Sequence, residues 1–60
     1  MDEDTVELCC QIIQERIDQL EEARSDAEDE GWVSQLDYGI TQLEGVRWSI
    51  KQAWRNQTEQ

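Results

Sequence analysis

Residues 6–27 read VELCCQIIQERIDQLEEARSDA, and residues 33–54 read VSQLDYGITQLEGVRWSIKQAW. In the first stretch Val6, Cys10, Ile13, Ile17, Leu20, Arg24 and Ala27 recur at steps of three and four. In the second, Val33, Leu36, Ile40, Leu43, Arg47, Ile50 and Trp54 do the same. That spacing lines up one face of an α-helix. Two such faces, separated by a short acidic joint ending in Gly31-Trp32, predict two helices folded back as an antiparallel hairpin.

The expected boundaries follow from end signals. Helix one is expected over about 4–29, with Asp4 accepting amide hydrogens of the first turn and Glu7 as its reciprocal partner. The turn is expected at about 30–34, where Gly31 stops helix one in the left-handed conformation. Ser34, with Asp37 three residues on, would then cap helix two, expected over about 35–56. Residues 1–60 are read as one hairpin domain. Gly39 lies beside the apolar stripe, where it permits close helix approach. Gly45 lies on the far side, where a kink is one explanation for it.

Sixty residues bury a modest core, and a chain of this size needs a staple. Two adjacent cysteines and no histidine supply neither a disulfide framework nor a zinc site. A second copy of the chain is the remaining staple, so the expected assembly is a homodimeric four-helix bundle. Its core would be Val6, Cys10, Ile13, Ile17 and Leu20 with Leu36, Ile40, Leu43, Ile50 and Trp54. Cys9 and Cys10 are read as small packed residues. Leu8 and Ile12 leave the stripe and would meet the second chain. Mean hydropathy of -0.88 and net charge -10 are also the composition of a disordered chain. The regular stripes, three tryptophans and absence of proline argue for ordered helix instead.

The charge is placed unevenly. Residues 1–30 hold twelve acids against Arg16 and Arg24, a net of -10. Residues 31–60 hold Asp37, Glu44 and Glu59 against Arg47, Lys51 and Arg55, a net of zero. Such a chain repels nucleic acid and anionic membranes and attracts basic protein surfaces. With the turn near residue 31, Arg24 is expected near Asp37 to Ile40, and Arg47 near Asp18 and Glu21, as rim ion pairs.

Catalysis is not expected. The chain has no histidine, no nucleophile–base pair and no glycine-rich phosphate loop, and it implies no cofactor or metal. The cluster Glu15, Asp18, Glu21 and Glu22 lies off the stripe, and a solvated face is its plainest explanation. Its other use is as a partner-binding surface. Tyr38 and Trp48 lie on the outward side of helix two, with Lys51 and Arg55 beside Trp48. Aromatic and arginine side chains of this kind anchor protein interfaces.

In size and charge the chain resembles small viral proteins that imitate a phosphate backbone and block nucleic-acid enzymes. In its hairpin organisation it is similar to small plasmid and phage bundle proteins. The latter bind RNA through basic outer residues, which helix one lacks, so no family is assigned. The expected function is a non-enzymatic, acidic interaction protein, such as a viral or mobile-element inhibitor of a basic protein surface. A structural bundle of a salt-loving microbe is the alternative, since high acid content with a single lysine suits high salt. A nucleic-acid-binding bundle using Arg47, Trp48, Lys51 and Arg55 is the third. No apolar run approaches membrane-spanning length, and the acidic start does not suit a secretion signal. The expected compartment is the cytoplasm, microbial or host.

Overall fold

The computed structural model describes residues 2–58. It is all-helical: α1 spans Glu3–Asp26 and α2 spans Glu30–Thr58, packed side by side as a hairpin about 48 Å long.

Each end of the fold begins one signal earlier than expected. Asp2, not Asp4, caps α1, because its carboxylate reaches the Thr5 amide at 2.7 Å from an extended backbone. Glu3 and Asp4 are thereby released into the first turn, where the positive end of the helix dipole favours them. The hydrogen bonds from Thr5 hold the Asp2 carboxyl below its ordinary pKa.

The joint also differs from expectation. Helix one ends at Asp26, three residues short of Asp29, and helix two starts at Glu30, five residues before Gln35. Ala27 is extended, and its amide closes the last turn on the Arg24 carbonyl at 3.2 Å. Gly31 does not stop a helix: no described residue has positive φ, and Gly31 lies in the first turn of α2. Ser34 caps nothing. Asp29 takes that role, its carboxylate accepting from the Gly31 amide and its carbonyl from Val33, both at 2.9 Å. The reason is electrostatic. A helix running to residue 29 would end on Glu28 and Asp29, at the negative end of its dipole. Breaking at Ala27 puts Asp29 and Glu30 at the positive end of α2 instead.

Gly45 makes no break, and α2 is continuous through it. Open space surrounds the position where a Cβ would stand. At Gly39 a Cβ would rest 3.5 Å from Leu20 Cδ1, an ordinary contact across the helix pair.

Val6, Ile17, Leu36 and Ile40 are buried. Cys10, Ile13, Leu20, Leu43, Ile50 and Trp54, also assigned to the core, are half-buried. Two polar contacts fix the register across the pair. Arg24 forms an ion pair with Asp37, within the range expected for it. Arg47 instead donates to the Gln14 carboxamide oxygen, one turn before Asp18. The Gln14 amide then donates to Asp18 at 2.9 Å, so Arg47 reaches that acid only through a relay. Residue numbers in both cross-helix pairs total 61, so residue i of α1 stands level with residue 61 minus i of α2. Among the described residues no helix is long and apolar enough to cross a membrane.

Candidate functional site

At about 100° per residue, the register turns the sequence into two sides of a hairpin. All eight acids of α1 (Glu3, Asp4, Glu7, Glu15, Asp18, Glu21, Glu22 and Asp26) fall within an arc of about 140° on one flank and the back of its stripe. The six charged residues of α2 (Glu30, Asp37, Glu44, Arg47, Lys51 and Arg55) fall within about 100° on its matching flank. Because the helices are antiparallel, these flanks lie on the same side of the hairpin. An open groove of about 480 Å³ confirms the match, since Glu3, Glu7 and Gln14 line it from α1 and Arg47 and Lys51 from α2.

On this charged side stand seven of the eight residues assigned to partner binding; Tyr38 falls on the back of α2, about 80° beyond the charged arc. Glu15, Asp18, Glu21 and Glu22 are exposed at mid-length of α1. Tyr38 and Trp48 are 69% and 64% exposed, among the most open large apolar side chains of the molecule. Lys51 and Arg55 are exposed one and two turns beyond Trp48. The register does not merge the two groups. Trp48, Lys51 and Arg55 stand level with residues 6–13 of α1, about 14 Å along the axis from the centre of the acid quartet at 1.5 Å per residue. Tyr38 sits near the turn, apart from both.

The acids are almost free of cationic partners. Asp37 is the one described acid in an ion pair, and hydrogen bonding to it followed by its charge raises the Arg24 pKa further. Among the described residues no group of three or more His, Cys, Asp or Glu side chains is arranged to hold a metal ion. Cys9 and Cys10 are free thiols, half-buried.

The opposite side is nearly without charge. Thr5, Cys9, Ile12, Arg16, Gln19 and Ala23 line it on α1, with Leu8 at its edge, and Arg16 is its one charged group. On α2 it carries Trp32, Gly39, Val46 and Ala53, at steps of seven, beside Leu36, Leu43 and Ile50. Leu8, Ile12, Trp32 and Val46 are 49–57% exposed there. Sequence reasoning missed Trp32, Val46 and Ala53, although the heptad step was legible. Its meaning needed the register, which shows that α1 covers the Val33–Ile40–Arg47–Trp54 edge and leaves the neighbouring edge open.

No known protein family, curated protein or solved structure matches the chain.

Proposed function

We propose that this chain is a non-enzymatic interaction protein, working as a homodimeric four-helix bundle, whose acidic side occupies the basic, nucleic-acid-binding surface of another protein. One observation carries the reading: the acids of both helices collect on one side, and among the described residues Asp37 is the one acid there in an ion pair. A rigid helix holds carboxylates at fixed spacing. Counterions freed from both surfaces on contact favour binding to a basic groove, as they do for a phosphate backbone. Inhibition by a viral or mobile-element protein is the biological form that fits. The Trp48–Lys51–Arg55 group would lie at the rim of such a contact and fix its register, with Tyr38 outside it on the back of α2.

The test replaces Glu15, Asp18, Glu21 and Glu22 with lysine together. The native chain, immobilised, should retain basic nucleic-acid-binding proteins from a lysate, and added duplex DNA should release them. The quadruple variant should retain none of them. Retention unchanged in that variant, or indifferent to DNA, overturns the reading.

A second reading has one observation in its favour. Unpaired, exposed acids with Lys51 as the single lysine are also what a bundle adapted to molar salt would show. In that case the acids serve hydration and no basic partner exists.

A further inference from the structure

The uncharged side is where the second copy fits, and its side-chain sizes say how. Resting on the dimer reading above, we infer that two hairpins pack face to face through the Trp32–Gly39–Val46–Ala53 edge, antiparallel, with α2 on the partner's α2 and the turns at opposite ends.

Three observations point there. The first is area. The face measures about 48 × 16 Å, or about 770 Å² in projection, close to the roughly 800 Å² per partner of a standard stable interface. The second is charge. Two chains of net charge -10 repel least along a strip without acids, and the one charged residue of this strip is Arg16. The third is shape. Along the edge run a large residue, no side chain, a branched residue and a small one. Reversed against itself, that order sets Trp32 against the partner's Ala53 and Gly39 against the partner's Val46. Both pairs total 85, which puts the two-fold axis at Gln42–Leu43, near the middle of Glu30–Thr58.

The other face-to-face arrangement places both turns at one end and lays α1 on the partner's α2. Levels are then preserved, and Arg16 would be buried against the partner's Val46 with no acid on that strip. In the antiparallel arrangement Arg16 stands level with residue 21 of the partner's α1, between Gln19 and Ala23 of the strip, where the Gln19 carboxamide is a polar neighbour. Arc and register also place the two acidic sides back to back on opposite outer surfaces. Each dimer therefore offers two equivalent acidic sides, and binds two partner molecules.

A disulfide-trapping experiment decides it. In a Cys9→Ser, Cys10→Ser chain, Gly39→Cys and Val46→Cys are introduced together, and copper–phenanthroline is the oxidant. Within one chain these positions are seven residues apart, about 10 Å, too far for a bridge. A Cβ at residue 39 meets only an ordinary contact at 3.5 Å, so the hairpin accepts the change. A covalent dimer is expected from the double variant and none from either single one. Separately, Val46→Glu should weaken dimerisation at least tenfold by light scattering, while Trp48→Glu on the charged side should leave it unchanged. A dimer by light scattering that does not cross-link overturns the antiparallel edge and leaves the dimer reading standing. A native chain that is monomeric at 100-fold excess over micromolar concentration overturns both.

Discussion

Gly45 and Gly39 show how much a single residue's meaning depends on its neighbours. Both lie inside α2, and the sequence assigns each a similar intrinsic cost, about 1 kcal/mol relative to alanine. Gly45 faces open space, leaves α2 uninterrupted and has no partner that its missing side chain admits. Gly45→Ala should therefore raise stability by about 0.5–1 kcal/mol, read as a higher midpoint in urea at unchanged slope. A destabilised Gly45→Ala would mean that a close neighbour outside the chain occupies that side. At the same scale, Arg24 and Arg47 interrupt apolar stripes in the sequence, and both lay their stems along the pair and end on a rim acceptor. The Arg24–Asp37 contact was legible from a turn near residue 31. The Arg47 contact was not: Gln14 lies one turn before Asp18 and two before Glu21, and the spacing does not rank a carboxamide above a carboxylate.

The two helices themselves were the most legible part of the chain, since seven stripe positions in each repeat at helical spacing. Their ends were less so. Asp2 and Asp4 both satisfy the sequence rule for a cap, as do Asp29 and Ser34, and the rule does not rank them. Dipole electrostatics does: Asp2 brings Glu3 and Asp4 into a first turn, and Asp29 brings Glu30 into one while keeping Glu28 and Asp29 out of a last turn. It follows that Asp29 holds the joint together. Asp29→Ala should cost about 1 kcal/mol, seen as loss of helical ellipticity and a lower thermal midpoint. Ser34→Ala, which touches no cap, should be nearly silent. The reverse pattern would restore the turn at residues 30–34.

The whole molecule is two opposed sides on a slender frame. Among the described residues four side chains are buried between α1 and α2, few for a hairpin of this length. The proposed dimer would add the uncharged side to that core, against the repulsion of a net charge of -10 on each chain. Two consequences follow for one experiment. On that proposal the thermal midpoint should rise with protein concentration, because a dimer would link folding to association. It should also rise with salt, moderately and in parallel with tighter association, because screening at 0.1–1 M shortens the reach of repulsion from about 10 Å to about 3 Å. Light scattering with circular dichroism, in dilute buffer and again in molar salt, measures both. A helical dimer already present in dilute buffer leaves the acidic side free to be a recognition surface, and its binding to a basic partner should then weaken as salt rises. Helix and dimer that appear only in molar salt would make the acids a device for hydration, and the recognition reading would fall with them.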